Sequence, residues 1–208
     1  MEREFQWELK EILFLFLLLI GIELVGVYIG KEFFTAHPLR VTLSLRGVDL
    51  FVLFFFVREK WKWVWGEGRN LRGAGWGVGT SLVLFFFLSI IHFLPYPELK
   101  QFLKFPLPEV SFSEIIILLL LPVVVEEIVF RGVLYPFLKE RWGVSWGILL
   151  SSLIFAIFHF WSGISLLLPF LGGIVFAFLR EKSGSLLAPI IFHSIGNLEF
   201  ILFTKFLL

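Results

Sequence analysis

The chain has 208 residues, of which 58% are hydrophobic and 17% are charged, and its formal net charge is +1. Ordinary globular chains are about a quarter charged and about half apolar, so this composition indicates a membrane protein and disfavours disordered, collagen-like and nucleic-acid-binding proteins. The chain contains no cysteine. Disulfides, cysteine-ligated zinc, iron–sulfur clusters and thiol catalysis are therefore excluded, and carboxylates, imidazoles and hydroxyls remain for any chemistry.

Seven apolar runs are long enough to be considered as membrane spans. A helix needs about 20 apolar residues to cross a bilayer core, and lipid offers the backbone no hydrogen-bond partners outside a helix. We predict an all-α, polytopic transmembrane helix bundle of about seven spans (six to eight), built as one integral membrane domain over residues 1–208. The runs cover approximately residues 11–30, 41–57, 74–94, 112–138, 144–161, 164–179 and 186–204.

The second run is the weakest of these spans, because Arg46 and Asp49 lie near its start. Their spacing of three residues puts them on one helix face, where they can neutralise each other. Glu23 and Glu199 also lie within apolar runs, and each could line a water-filled cavity.

Basic residues are distributed unequally between the connections. If all seven runs span, eleven Lys and Arg residues lie on the N-terminal side and five on the other. The positive-inside rule then predicts an integral protein of the cell (cytoplasmic) membrane, with its N-terminus in the cytoplasm and its C-terminus outside. All eight tryptophans lie at or between the ends of the runs, as expected for rings at the headgroup level.

The connection over residues 58–73 alternates basic residues with three tryptophans. A nucleic-acid interface would share this pattern, but a cytoplasmic loop lying on anionic lipid is favoured, so membrane lipids are expected partners and nucleic acid is not. The glycines at 73, 75, 77 and 79 lack a following Gly-Lys-Ser/Thr. They therefore indicate close helix packing and not a phosphate-binding loop.

Ionisable side chains inside spans are costly, and they concentrate in three runs. In the fourth run, Glu127 lies four residues before Arg131, in the favourable order for an ion pair on one helix face. Glu126 points about 100° away and has no partner on its own helix. A carboxylate in such apolar surroundings is a useful proton acceptor for a water molecule or a ligand for a metal.

The fifth and seventh runs supply imidazole and amide groups. His193 and Asn197 share one helix face and could donate hydrogen bonds to a developing oxyanion. Phe155 precedes His159 by one turn and is predicted to pack against it. One carboxylate, two imidazoles and an amide suggest water-dependent attack on a carbonyl. Zinc, with Glu126, His159 and His193 as ligands, is the alternative use of the same side chains.

Each of these residues also has a purely structural interpretation. The Glu127–Arg131 pair could be a neutralised strut, and His159 near a span end could be a packing residue. The combination on three runs argues against this, because several costly polar positions without a function are improbable.

The residues form three ordered motifs: Glu-Glu-x-x-x-Arg at 126–131, Phe-x-x-x-His at 155–159 and His-x-x-x-Asn at 193–197. This set resembles the CPBP family, which contains the CAAX prenyl proteases and bacteriocin-processing enzymes. The resemblance covers a protease core of about residues 111–204. It implies an intramembrane endopeptidase that cleaves near the C-terminus of a peptide or lipidated protein, in a cavity open toward the cytoplasm.

Transferred position by position, the resemblance implies that Glu126 activates water, that His159 helps to hold it, and that His193 and Asn197 stabilise the oxyanion. Glu127, Arg131 and Phe155 would support them. The family is commonly labelled a metalloprotease, but this sequence lacks His-Glu-x-x-His, so a mechanism without metal is favoured and zinc is the alternative cofactor. Two other functions stay open: a membrane binder or bacteriocin-immunity protein, and a small transporter whose Glu126, Glu127 and Arg131 relay protons.

Helix geometry raises one difficulty. At about 1.5 Å per residue, His159 lies roughly 22 Å from the cytoplasmic end of its run, whereas His193 lies roughly 10 Å from the start of its own. The two residues can meet only if a helix is tilted, broken or displaced. Four prolines, at 122, 136, 169 and 189, are the predicted sites of kinks or breaks.

Overall fold

The computed structural model describes residues 7–33, 38–66, 70–96, 98, 112–160 and 165–206. These residues form helices joined by short turns, and no strand occurs among them. The helices are α1 (Leu9–Phe33), α2 (Pro38–Val57), a 3-10 turn (Arg58–Lys60), α3 (Trp61–Trp65), α4 (Asn70–Phe93), α5 (Phe112–Glu127), a π-helix (Ile128–Leu134), α6 (Tyr135–Phe158), α7 (Leu167–Ser183) and α8 (Leu187–Phe206).

The all-α prediction is confirmed, and every predicted run falls on a helix. Within the described part of the chain, three helical stretches are long and apolar enough to cross a bilayer: Asn70–Phe93, Leu120–Phe158 and Leu187–Lys205. The number of crossings, about seven from the sequence, stays a prediction.

The fourth and fifth runs are joined in one long helical stretch that bends sharply at Gly143. This glycine has φ +81° and ψ 171°, a conformation that only glycine adopts without strain. A Cβ added at Gly147 would lie 3.0 Å from Cα of Lys139, so α6 folds back on its own first turns. The break therefore falls at a glycine. Of the four predicted prolines, Pro122 lies inside α5 and Pro136 lies just after the π-helix. Pro169 and Pro189 lie in first helical turns, where a missing N–H costs little.

Close packing between α4 and α8 depends on two of the four predicted glycines. A Cβ at Gly73 would be 2.7 Å from Oγ of Ser185, and one at Gly77 would be 2.8 Å from the carbonyl oxygen of Ala188. Added Cβ atoms at the other two glycines would meet nothing within 4 Å. The prediction of small-residue packing is thus confirmed for one face of α4, at positions four residues apart.

Part of the segment Lys60–Gly66, predicted as a loop lying on lipid, packs against the helix bundle. Val64 is fully buried and Lys60 is 8% exposed, while Trp63 and Trp65 pack against the core. Lys60 forms an ion pair with Glu11. These contacts bury one side of the segment inside the bundle, whereas the side chains of Arg58 and Trp61 stay exposed.

Trp7 also departs from the predicted headgroup position, since only 1% of it is exposed. Its ring stacks on Phe56 with centroids 5.2 Å apart, and Nζ of Lys60 lies 3.8 Å from its centroid. Within α2, the predicted Arg46–Asp49 pair is confirmed at 2.7 Å. Glu23 of α1 forms an ion pair with the same guanidinium.

Candidate active site

The buried pair predicted within the fourth run is present. Glu127 ends α5, Arg131 lies in the π-helix that follows, and neither side chain is exposed. Arg131 Nη1 lies 3.4 Å from Oε1 of Glu127. A buried charge without a partner would be strongly destabilising, so each group is needed by the other.

Arg131 is enclosed by aromatic rings as well as by its carboxylate. Its Cζ atom lies 4.3 Å from the ring centroid of Phe155 and 4.9 Å from that of Phe176, and Nη2 donates a 3.2 Å hydrogen bond to the carbonyl of Gly173. A guanidinium over aromatic faces gains cation–π attraction that grows when water is excluded. The arginine therefore joins the π-helix to α6 and α7.

Helix α8 brings His193 to the same carboxylate. Nδ1 of His193 is 2.7 Å from Oε1 of Glu127, and the imidazole stacks on Phe176 with centroids 4.3 Å apart. Because Glu127 pairs with Arg131, it accepts hydrogen bonds, and Nδ1 of His193 must be the donor. In the neutral ring, Nε2 then carries a lone pair.

His159 is held in the same way by a different acceptor. It caps the C-terminal end of α6, and its Nδ1 lies 2.8 Å from the carbonyl oxygen of Phe155. A carbonyl can only accept, so this Nδ1 is also protonated. The ring of Phe155 lies 4.3 Å from that of His159, which confirms the predicted packing.

Both imidazoles turn their remaining nitrogen toward Glu126. Oε2 of Glu126 is 3.8 Å from Nε2 of His159 and 3.9 Å from Nε2 of His193, and 23% of the glutamate side chain is exposed. Oε2 of the partly exposed Glu126 thus has both Nε2 atoms within 4 Å. A water molecule between them could donate both of its hydrogens, so the geometry suits a bound water.

The same three atoms can be tested against zinc. Histidines that bind metal commonly donate their other N–H to a carboxylate or carbonyl, as both do here. Tetrahedral ligands at zinc distances are about 3.4 Å apart, so these side chains would have to close by about 0.5 Å. Within the described ranges, no group of three His, Asp or Glu residues is close enough to hold a metal ion.

Asn197 follows His193 by one turn of α8 and is half-buried. Its amide makes no hydrogen bond with any residue that the structure describes, which leaves its N–H groups for a ligand. Two contributors from α7, Gly173 and Phe176, were not predicted. The one sequence signal for Gly173 is the Gly-Gly pair at 172–173 within an apolar run, since close approach of a backbone needs glycine.

His159 and His193 meet despite their different distances along their own helices. The Nε2 atoms of the two residues lie 3.8 Å and 3.9 Å from Oε2 of Glu126. The helical stretch that carries His159 is broken at Gly143, so it is not a single straight span.

The structure thus defines an apolar, all-helical bundle with a carboxylate and two imidazoles converging inside it. The family model described as "Type II CAAX prenyl endopeptidase Rce1-like" matches residues 108–198, a range that contains every candidate site residue. A protein of Escherichia coli described as "Uncharacterized 24.3 kDa protein" is 30% identical over 150 residues, which cover 67% of this chain and 69% of the relative. No solved structure matches the chain significantly.

The chain belongs to the Rce1-like family, which is a family of proteases. Its apolar helices and this membership identify it as an integral membrane protein with the general character of a peptidase.

Proposed function

We propose that the protein is an intramembrane endopeptidase that hydrolyses a peptide bond near the C-terminus of a peptide or lipidated protein, using water activated by Glu126. The observation that supports this is the position of Oε2 of Glu126, which is 3.8 Å and 3.9 Å from the Nε2 atoms of His159 and His193. Such a carboxylate can accept a proton from a water molecule that the imidazoles orient.

In the proposed reaction, water donates one hydrogen to Glu126 and the other to Nε2 of His159. As Glu126 takes its proton, the water oxygen attacks the peptide carbonyl and the carbonyl oxygen becomes an oxyanion. Hydrogen bonds from His193 and Asn197 stabilise this oxyanion. Glu126 then passes its proton to the leaving amine, and the C–N bond breaks.

Glu127 has a specific part in this scheme. Because Nδ1 of His193 donates to Glu127, Nε2 can donate to an oxyanion only when the ring is protonated. The Glu127 carboxylate, which also pairs with Arg131, stabilises that imidazolium. The cluster of two carboxylates, one guanidinium and one imidazolium then has no net charge, which is the least costly state inside a membrane.

We place the enzyme in the cell membrane, with its N-terminus in the cytoplasm and the active-site cavity open toward the cytoplasm. The excess of basic residues on the N-terminal side supports this orientation. The printed description of the family, a CAAX prenyl endopeptidase, supports a prenylated tail as the first substrate to test.

The test is turnover of a panel of fluorogenic peptides, farnesylated and unmodified, by the detergent-purified protein. Glu126→Gln keeps the side-chain shape and removes the proton acceptor, so turnover is expected to fall roughly 10²–10⁴-fold. Glu199→Gln is the matched control, because it alters a carboxyl of α8 outside the cluster. Unchanged turnover in Glu126→Gln would contradict the proposal.

Other outcomes of this assay identify other functions. Loss of turnover on chelation with rescue by zinc would make Glu126, His159 and His193 metal ligands. Equal peptide binding by wild type and Glu126→Gln without turnover would indicate a binder or immunity protein. Proton-coupled flux in proteoliposomes, abolished by the same variant, would indicate a transporter.

A further inference from the structure

The short helix α3 lies against the π-helix that follows the two glutamates. Val64 of α3 is fully buried, and a Cβ built on Gly132 would be 2.7 Å from its Cγ1 atom. Gly132 lies five residues after Glu127 in an element whose residues are all buried. One side of α3 therefore contacts the glutamate-bearing part of the site.

Arg180, near the end of α7, fixes α3 in this position. Its Nη2 atom donates hydrogen bonds of 3.0 Å to the carbonyl oxygens of both Trp63 and Val64. The last carbonyls of a helix lack partners within the helix, so these bonds satisfy groups that would otherwise be buried unpaired. Arg180 is 8% exposed, which strengthens the interaction by excluding water.

The C-terminal end of α3 contacts the turn that leads into α8. The backbone N–H of Leu186 donates a 3.0 Å hydrogen bond to the carbonyl oxygen of Trp65. A Cβ added at Gly66 would lie 1.9 Å from the carbonyl oxygen of Gly184, so the two backbones are in direct contact. Both glycines have positive φ, which permits this approach. His193 follows Leu186 by seven residues, or about two helical turns.

We propose that Arg180 and Val64 are positioning residues of the active site: they hold α3 as a spacer between the π-helix and the start of α8, and so keep His193 in register with Glu127. This proposal rests on the proposed function for its kinetic readout alone. Its structural readout, the hydrogen bond between His193 and Glu127, is independent of any activity.

The first experiment compares Arg180→Met with Arg141→Met. Arg141 is a matched control, because its Nη2 atom also donates to a backbone carbonyl of a segment far away in the sequence, that of Trp7 at 3.2 Å. The imidazole N–H resonances of ¹⁵N-histidine-labelled protein report the Nδ1–H bond of His193, and with four histidines in the chain a His193→Gln variant assigns it. We expect Arg180→Met to remove or broaden this resonance and Arg141→Met to leave it unchanged.

The kinetic counterpart uses the best substrate of the wild type. Arg180→Met is expected to lower kcat by about 100-fold with little change in KM, since a shift of the order of 1 Å at a catalytic group has an effect of that size. Arg180→Lys keeps the charge and can bond one carbonyl, so an intermediate kcat is expected. Unchanged kcat and an unchanged His193 resonance in Arg180→Met would overturn the proposal.

A disulfide between positions 64 and 132 distinguishes a fixed spacer from a damaged fold. The chain has no cysteine, and a Cβ at Gly132 lies within disulfide reach of the γ position of residue 64. In Val64→Cys/Gly132→Cys/Arg180→Met, oxidation is expected to restore the His193 resonance and kcat, and reduction to abolish both. Failure of the oxidised form to recover the resonance would overturn the proposal. Reversible inhibition on closing the same disulfide in Val64→Cys/Gly132→Cys, which keeps Arg180, would also overturn it, because activity would then require α3 to move.

Discussion

Glu127 connects two of the functional side chains inside the bundle. Its Oε1 atom lies 3.4 Å from Nη1 of Arg131 and 2.7 Å from Nδ1 of His193, and none of its side chain is exposed. Glu126, its neighbour in the chain, has 23% of its side chain exposed. Adjacent glutamates therefore have different tasks, because Glu127 is buried with both donors on its Oε1 atom, whereas Glu126 is partly exposed to solvent.

We predict that Glu127→Gln lowers the free energy of unfolding by about 3–5 kcal/mol, because it leaves the buried guanidinium of Arg131 without a counter-charge. Thermal unfolding in detergent measures the loss. The double variant Glu127→Leu/Arg131→Met removes both charges and is expected to recover most of it. A double variant less stable than Glu127→Gln would show that the pair stabilises the fold beyond mutual neutralisation.

Gly173 is a second position where a single atom matters. A Cβ there would be 2.9 Å from Cβ of Ser152 and 3.2 Å from Nη2 of Arg131, whereas one at Gly172 would meet only Phe176 at 3.4 Å. We predict that Gly173→Ala destabilises the fold by about 1–3 kcal/mol through overpacking. Gly172→Ala is the control and should be neutral or slightly stabilising. Equal melting temperatures for the two variants would contradict the packing described.

At the scale of elements, α4 shows how glycine spacing selects a packing face. We predict that Gly77→Ala destabilises the bundle, since its Cβ would be 2.8 Å from both the carbonyl oxygen of Ala188 and Cβ of Ile191. Gly75→Ala meets nothing and should stabilise the helix by up to about 1 kcal/mol. Melting temperatures of the two variants check this, and a destabilising Gly75→Ala would mean that the other face of α4 is also packed.

An ion pair outside the predicted spans joins the start of α6 to the end of α7. Lys139 Nζ lies 2.7 Å from Oε2 of Glu181, which also accepts a 2.6 Å hydrogen bond from the hydroxyl of Tyr135. Partial burial opposes ionisation of this carboxyl, but the hydrogen bonds from Lys139 and Tyr135 outweigh it and hold the pKa of Glu181 below its ordinary value of 4.5.

A lowered folded-state pKa means that Glu181 stabilises the fold above about pH 4.5 and that this contribution is lost as the pH falls through the folded-state pKa. We predict that the melting temperature of Glu181→Gln depends less on pH in this acidic range than that of the wild type. Parallel pH profiles for the two proteins would show that this carboxyl does not contribute. Measurement at low ionic strength is preferred, because the pair is partly exposed and salt screens it.

At the scale of the whole molecule, the orientation in the membrane can be tested with single cysteines, because the native chain has none. We predict that cysteines replacing Lys62 and Lys182 react with a membrane-impermeant maleimide only in inverted vesicles, and that one replacing Lys205 reacts only in right-side-out vesicles. Labelling of Lys205→Cys on the same side as Lys182→Cys would mean that an even number of segments crosses. Peptide turnover by inverted vesicles alone would support the cytoplasmic opening.

The sequence predicted what depends on spacing along one helix, and it failed where two helices meet. Glu127–Arg131, Phe155–His159 and Arg46–Asp49 were correct because residues three or four apart share a helix face. The burial of Trp7 and Val64 was missed, because an aromatic and basic segment satisfies a membrane surface and a bundle interior equally well. Phe176 and Arg180 were missed as neighbours of the site, because neither their type nor their local spacing distinguishes them from other residues of an apolar helix and its basic end.

The π-helix at Ile128–Leu134 sets the helical register between the two glutamates and α6. A turn closed by i to i+5 bonds holds one more residue than an α-helical turn, so the segment contains one residue that regular helix would not need. If all seven residues wound as an ordinary α-helix, everything that precedes them would be rotated by about 100° relative to α6. Glu126 and Glu127 would then turn away from both histidines while the hydrophobicity of the run stayed the same. A variant that keeps the length of this segment but loses its wide turns could therefore insert normally and have no assembled site.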